Sequence, residues 1–183
     1  MSVRVISGSA KGCRLQVPRG FTVRPTPDRA KEGLFNIIGD RLTDCRFLDL
    51  YAGSGAIGIE ALSRGAAEAV FVEKRPRVAE IIRRNLIRAK LPDHASVVVA
   101  DVGKVLEKLK KRGEFFDIIF ADPPYMLKNG LEILQVIANN DVLGVNGLVI
   151  WEHASAANVP AKVGNMLCIK AVRYGDTAFA FLS

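Results

Sequence analysis

The sequence predicts an α/β protein with a mostly parallel sheet of seven strands, one of them an antiparallel strand near the C-terminal end. From residue 46 onward, short apolar runs alternate with helical segments. These runs lack the regular alternation of apolar and polar residues that marks a sheet with one face in water, which favours a parallel sheet covered on both faces. The last two apolar runs have no helical spacing between them and therefore favour an antiparallel hairpin.

The elements of the sheet follow in order along the chain. Strands are expected at residues 46–50, 69–73, 95–100, 115–121 and 147–153, and helices at residues 55–65, 76–90, 102–112 and 130–140. The second of these helices is amphipathic, with Val78, Ile82, Leu86 and Ala89 on one face. The final hairpin should turn near Tyr174-Gly175-Asp176.

The first 45 residues read as an N-terminal extension of a single domain whose core spans residues 46–183. "RVISG" and "RLQVP" predict a small hairpin. A helix is then expected to run to about Ile38, with Thr26 able to cap it and Pro27 in its first turn.

The composition favours a cytoplasmic protein with an anionic partner. Lysine and arginine number 26 against 19 acidic residues, for a net charge of +7. The excess of basic residues lies before residue 34 and again in "EKRPRVAEIIRRNLIRAK". Such clusters are typical either of a surface that binds nucleic-acid phosphates or of a solvated helical surface. Three distant cysteines and two histidines give no pattern for a disulfide or metal site, and no apolar run is long enough to span a bilayer.

The stretch "FLDLYAGSGAIGIEA" carries the main cofactor signal. Gly53, Gly55 and Gly58 form a G-x-G-x-x-G pattern between a strand and a helix, and Glu73 ends the next strand, where it could bind a ribose. This much also fits a Rossmann-like dinucleotide site. However, Asp49 would repel a pyrophosphate and attract a cation, and Asp101 is suited to an adenine amino group. S-adenosylmethionine satisfies all three acids, although Asp49 and Asp101 could each simply cap a helix.

A reaction site is predicted where the fourth strand ends in Asp122-Pro123-Pro124-Tyr125. The Asp122 carboxylate and the Pro123 carbonyl could accept the two N–H groups of an exocyclic amine on a base. The prolines would hold both acceptors rigidly, and Tyr125 could stack on the base. A rigid loop after a strand is the alternative interpretation.

Together, "FLDLYAGSG", "VFVEK" and "FADPPY" resemble the motifs of class I S-adenosylmethionine-dependent amino-methyltransferases. "RPTPDRAKEGLFN", "AIGIEALSRGA" and "YGDTAFAFL" narrow the resemblance to the bacterial 16S ribosomal RNA guanine-N2-methyltransferase family, over nearly the whole chain. The resemblance implies a Rossmann-like methyltransferase fold and methylation of a guanine amino group, guanine 966 of the small subunit. It also implies a monomer acting on a partly assembled subunit.

The resemblance also implies residue roles. The catalytic set is Asp122, Pro123, Pro124 and Tyr125. The cofactor would be held by Asp49, Tyr51, Ala52, Gly53, Ser54, Gly55, Glu73, Lys74, Asp101, Val102 and Asp122. RNA would be guided by Arg4, Lys11, Arg14, Arg24, Thr26, Asp28 and Arg29. Ser7 and Lys11 depart from the family pattern of glycine and arginine, which weakens the prediction of RNA contacts in the hairpin.

Three alternatives remain open. An NAD-dependent oxidoreductase shares the glycine loop, but the chain lacks an evident hydride-transfer site. A DNA adenine methyltransferase shares the Asp-Pro-Pro-Tyr chemistry but would normally need a recognition module. An RNA-binding module without catalysis explains the charge but leaves the acids without a role.

Overall fold

The structure, a computed structural model, describes residues 3–18, 26–124 and 130–183. Its helices are α1 (Asp28–Ile38), α2 (Ala56–Ser63), α3 (Pro76–Ala89), α4 (Val102–Lys111) and α5 (Gly130–Asn140). Its strands are β1 (Val3–Arg4), β2 (Arg14–Leu15), β3 (Arg46–Leu50), β4 (Glu68–Glu73), β5 (Ala95–Val99), β6 (Phe116–Ala121), β7 (Leu143–Ala154), β8 (Lys162–Val163), β9 (Met166–Tyr174) and β10 (Thr177–Leu182). Short 3-10 helices occupy Gly39–Leu42 and Pro92–His94.

The main sheet confirms the predicted architecture. Its strand order is β5-β4-β3-β6-β7-β10-β9-β8, and the first five of these strands run parallel. Strand β10 lies antiparallel between β7 and β9, which is the expected reversal. The main sheet has eight strands instead of seven, because the two-residue β8 pairs with β9. So short a strand carries no periodic signal in the sequence.

Both faces of the sheet are covered, which explains the continuous apolar runs. Phe47, Phe71 and Phe120 project to the side that also holds α1, α2 and α3. Leu48 and Val72 project to the other side, against α4 and α5. Successive strand residues therefore enter two separate cores.

The N-terminal segment is joined to the sheet by buried polar groups. The Glu60 carboxylate of α2 accepts hydrogen bonds from the amides of Ile6 and Ser7, at 2.8 and 3.0 Å, and pairs with Lys31 at 3.1 Å. Arg64, which directly follows α2, donates to Glu60 at 2.7 Å. Lys31 was expected to add to the basic surface, but its side chain is only 1% exposed because it is enclosed with Glu60.

Asn85 makes a second connection between this segment and the rest of the fold. Its side chain lies fully buried on α3. It accepts a hydrogen bond from the amide of Gln16 at 2.8 Å and donates to the carbonyl oxygens of Gln16 and Ser54, each at 2.9 Å. The hairpin segment and the glycine loop are therefore held by one amide group.

The predicted cap of the first helix is wrong. Helix α1 begins at Asp28, and Pro27 occupies the capping position without a side-chain hydrogen bond. The Thr26 hydroxyl instead donates to a carboxylate oxygen of Glu152 at 2.8 Å. Because the helix begins one residue later than expected, Thr26 precedes the capping position, and its hydroxyl donates to Glu152 instead of accepting from a helix N–H.

No helix among the described residues is long and apolar enough to cross a membrane. The three cysteines are unpaired.

Candidate cofactor and amine site

Acidic side chains gather where the parallel strands end. Asp49 lies near the end of β3, Glu73 closes β4, and Asp101 and Asp122 follow β5 and β6. Glu152 lies near the end of β7. Parallel strands deliver their carboxyl ends to one edge of the sheet, so these five acids share a crevice edge, as is usual for ligand sites in open α/β sheets.

The glycine loop between β3 and α2 has the geometry that its glycines require. Gly53 and Gly55 adopt positive φ angles of 55° and 77°, which glycine tolerates without strain. A side chain at Gly53 would meet nothing closer than the Tyr51 carbonyl oxygen at 3.8 Å, so the outer surface of the loop is open to a ligand. Tyr51 also has a positive φ, of 63°, a strained conformation for a residue with a side chain.

Gly58 matters for packing. A Cβ atom there would lie 2.4 Å from the ring of Phe71 and 3.1 Å from the Asp49 carboxylate. The bare backbone instead donates its N–H to Asp49 at 2.9 Å. This hydrogen bond fixes the orientation of the Asp49 carboxylate against the first turn of α2. Asp49 therefore has part of the helix-capping role that was left open.

Glu73 and Asp101 already have partners within the chain. Glu73 accepts hydrogen bonds from the amide of Gly53 at 3.2 Å and from the amide and guanidinium of Arg75 at 2.9 and 3.0 Å. Asp101 caps α4 by accepting from the Gly103 amide at 3.1 Å, and Lys74 lies 3.4 Å from its other oxygen. Asp101 thus has the capping role that was left open, and its exposed side chain remains accessible to a ligand.

The remaining predicted cofactor residues lie around this loop. The Ala52 amide donates to the Val72 carbonyl at 2.9 Å, and the Ser54 carbonyl accepts from Asn85. Val102, at the start of α4, is buried in the core.

Asp122 and Pro123 directly follow the last residue of β6. Asp122 is half-buried, Pro123 is buried and Pro124 is exposed, so the stretch emerges from the sheet at this point. Tyr125 lies outside the described residues, as does Arg24.

Glu152 is the site residue that sequence reasoning missed. The parallel register pairs Ala121 with Trp151, which sets Asp122 and Glu152 side by side on neighbouring strands. Glu152 is 3% exposed and is held by Thr26. An acid near the carboxyl end of an apolar strand is the signal that would have identified it. Trp151, the residue before Glu152, is buried in the opposite core.

Burial disfavours the charged forms of the three innermost carboxylates, and the charge of Asp122 adds to this effect at Asp49 and Glu152. Burial raises the pKa of Asp49 to about 7, opposed by the Gly58 hydrogen bond and reinforced by the charges of Asp122 and Glu73. Burial likewise raises the pKa of Asp122 to about 7. Burial and then the charge of Asp122 raise the pKa of Glu152 well above its usual value.

This electrostatic arrangement fits a cationic ligand. Among the described residues, no lysine or arginine pairs with Asp49, Asp122 or Glu152, although buried carboxylates normally have a cationic partner. The positive charge of S-adenosylmethionine would supply that partner beside an open glycine loop. The residues present therefore fit this cofactor.

The predicted RNA-binding residues that the structure describes lie together on the N-terminal segment. Lys11, Arg14 and Arg29 are exposed, and Arg4 pairs with Asp28 at 3.2 Å on the surface. In residues 3–18, 26–124 and 130–183, no group of three histidine, cysteine or acidic side chains is arranged to hold a metal ion.

Comparison with known proteins agrees with this geometry. The family model described as Conserved hypothetical protein 95 matches residues 3–183. The chain is 38% identical over 178 residues to "Putative rRNA methyltransferase YlbH" of Bacillus subtilis, covering 97% of each. It is 34% identical over 165 residues to "Ribosomal RNA small subunit methyltransferase D" of Escherichia coli, covering 89% of this chain and 80% of that protein. The solved structure named "Putative methyltransferase yhhF from Escherichia coli" superposes with a TM-score of 0.86 at 32% identity, covering 100% of this chain and 97% of that one.

Proposed function

The chain belongs to the family described as Conserved hypothetical protein 95, and from the geometry of its site and the ribosomal RNA methyltransferases among its relatives we propose that it is an S-adenosylmethionine-dependent methyltransferase of 16S ribosomal RNA. Its acceptor is the exocyclic N2 amino group of a guanine. The observation that carries the proposal is the position of Asp122 and Pro123 beside buried Asp49, which lacks a cationic partner among the described residues and lies next to an open glycine loop.

The cofactor is held at the ends of β3, β4 and β5. Asp49 faces the positively charged part of the ligand, and the Gly53–Gly55 backbone allows close approach. Glu73 binds the ribose hydroxyls, which replace part of its hydrogen bonding with Arg75. Asp101 accepts a hydrogen bond from the adenine amino group. Tyr51, Ala52, Ser54 and Lys74 complete the pocket, and Val102, whose side chain lies in the core, adds only its backbone.

The bound cofactor supplies an electrophilic methyl group on a sulfonium centre. The target amine is a weak nucleophile because its lone pair is delocalised into the base. The Asp122 carboxylate and the Pro123 carbonyl accept its two N–H groups and orient the lone pair, and the two prolines keep these acceptors in position. A methylated, positively charged nitrogen is a strong acid, and Asp122, with a pKa near 7, is suited to take its proton. Tyr125 stacks on the base.

RNA phosphates contact the N-terminal segment, residues 1–45, which belongs to one domain with residues 46–183. Its Thr26 reaches the crevice through the hydrogen bond to Glu152. Arg4, Lys11, Arg14, Arg24 and Arg29 supply the charge, while Thr26 and Asp28 position the segment. The surface continues onto α3, because the Arg88 guanidinium donates to the Arg14 carbonyl at 3.3 Å. The protein acts as a cytoplasmic monomer on a partly assembled small subunit.

The proposal is tested by methyl transfer from labelled S-adenosylmethionine to 16S RNA, to small subunits lacking the modification and to duplex DNA. The product nucleoside is identified by mass spectrometry. N2-methylguanosine from RNA or subunits is the expected product. Methyladenine from DNA, or no transfer to any of the three, would contradict the proposal.

The role of Asp122 is tested by Asp122→Ala. Transfer should fall by roughly 10²–10³-fold, the usual effect of removing a group that stabilises the transition state, while the cofactor dissociation constant measured by calorimetry stays nearly unchanged. Asp93→Ala, which removes an exposed carboxylate from a 3-10 helix, is the matched control. Loss of cofactor binding together with transfer would mean that Asp122 mainly binds the cofactor.

A further inference from the structure

Glu152 is not explained by the cofactor or by the fold. Its neighbours on the same face of β7 are Leu148 and Ile150, and the residue opposite it on β10 is Phe179, so an apolar side chain would suit the position. Burying a carboxylate there costs stability unless an interaction compensates for it. Thr26 provides one hydrogen bond, to Oε2. Among the described residues no donor reaches the second oxygen, Oε1.

The position of Glu152 relative to Asp122 suggests what that second oxygen binds. Asp122 follows the last residue of β6, and Glu152 lies two residues before the end of the adjacent parallel strand β7. The register pairs Ala121 with Trp151, and the charge of Asp122 acts on Glu152, so the two carboxyl groups are neighbours. Adjacent strands lie about 4.8 Å apart, so a flat ring whose amine meets Asp122 would present its neighbouring edge atoms to Glu152. Asp49 is less suited to this contact. It lies on β3, which flanks β6 on the side away from β7, and its Oδ2 already accepts a hydrogen bond from the Gly58 amide.

Guanine and adenine differ in the atoms that they would present at this point. Guanine carries an N1–H donor directly beside its N2 amino group, whereas N1 of adenine is an acceptor. The positive charge of the bound cofactor favours the ionised form of the acids around it. When ionised, the Glu152 carboxylate accepts hydrogen bonds and donates none. It would therefore pair with N1–H of guanine and repel N1 of adenine.

We propose that Glu152 determines base specificity by accepting the N1–H of the target guanine through Oε1, while Asp122 and Pro123 hold the N2 amine. Thr26 is a positioning residue that fixes the carboxylate through Oε2. This inference rests on the proposed function, since it requires a guanine amine at Asp122.

The test uses 2,6-diaminopurine, which keeps the 2-amino group but has an acceptor at N1. It is placed at the target position by ligating a synthetic segment into the RNA that the wild-type protein methylates. Transfer to the 2-amino group is measured as kcat/KM. The wild-type protein should prefer guanine over diaminopurine by about 10- to 100-fold, the discrimination of one good polar base contact.

Glu152→Gln supplies an amide N–H in nearly the same shape. It should lower kcat/KM for guanine and raise it for diaminopurine, so that the preference of the wild-type protein disappears or reverses. Thr26→Val should weaken the same preference to a smaller extent. An unchanged cofactor dissociation constant in calorimetry would show that the variants are folded.

Two results would overturn the inference. The first is equal transfer to both bases by the wild-type protein, which needs no variant. The second is an unchanged guanine preference in folded Glu152→Gln. In both cases transfer to guanine N2 persists, so the proposed function stands. Absence of N2 transfer by the wild-type protein would instead overturn the proposed function, and this inference with it.

Discussion

At the scale of single residues, the site holds acids whose burial opposes stability. Asp49 is 2% exposed, and its pKa rises from 3.8 to about 7. Its charged form is therefore less favourable in the folded chain than in the unfolded one. Without a bound cation, the penalty is absent below the unfolded pKa, grows as the pH rises from 3.8 to about 7, and is complete above it.

Asp49→Asn should accordingly stabilise the cofactor-free protein. The Asn carbonyl oxygen can still accept from Gly58, and the gain should approach at most about 4 kcal/mol at pH 8, being smaller at pH 5. Urea unfolding of both proteins at the two pH values measures it. Asp93→Asn serves as the exposed control. A gain independent of pH would mean that the charge of Asp49 is not the destabilising feature.

The sequence predicted that most of these acids lie at the site, but it did not predict which groups surround them. Asp49, Glu73, Asp101 and Asp122 were expected because each ends an apolar run beside a loop. Glu152 was missed although it lies near the end of an apolar run, because its place beside Asp122 depends on the register of β6 and β7. The roles assigned to all of these residues stay predictions.

At the scale of elements, the N-terminal segment is held by an ion pair that the sequence did not indicate. In the sequence, Lys31 is one of several basic residues of the N-terminal segment that are expected on the surface. It is buried because it pairs with Glu60, which is 29 residues away in a different helix. The hairpin and helix themselves were predictable from local patterns. Their docking was not, because it depends on contacts distant in sequence.

Glu60→Gln should cost about 3–5 kcal/mol of unfolding free energy, because it leaves the Lys31 ammonium buried without a counter-charge. Glu68→Gln is the comparison, since Glu68 pairs with Arg46 on the surface and each side chain is about two-fifths exposed; its loss should cost less than about 1 kcal/mol. Chemical denaturation measures both. Equal costs would contradict the anchoring role of Glu60.

At the scale of the whole molecule, exposed basic residues lie on both faces of the sheet. The face covered by α3 and the hairpin carries exposed Arg84 and Arg88 beside Arg14. The opposite face carries the exposed Lys108 and Lys111 of α4. If RNA approaches the crevice over the N-terminal segment, only the first face should contact phosphates.

Replacing both Arg84 and Arg88 by Gln should therefore reduce the salt dependence of 16S RNA binding. The slope of log K against log salt should fall in magnitude by about 1.4–1.8, the release of counterions from two phosphates. Lys108→Gln with Lys111→Gln removes the same charge from the other face and should leave the slope nearly unchanged. Affinity measured over a salt series would distinguish the two, and equal effects would rule out a specific RNA face.

The buried amide of Asn85 also has a consequence for the order in which the chain acquires its shape. The hydrogen-bond partner of Gln16, Asn85, lies 69 positions further along the chain, and that of Ile6, Glu60, lies 54 positions further. During synthesis these early residues must remain loose until α2 and α3 have been made, since long loops close only when their contacts can compensate for the lost entropy. The segment proposed to contact RNA is thus made before its partners and fixed only after them, so a chain halted before Asn85 would contain the segment without its contact to α3.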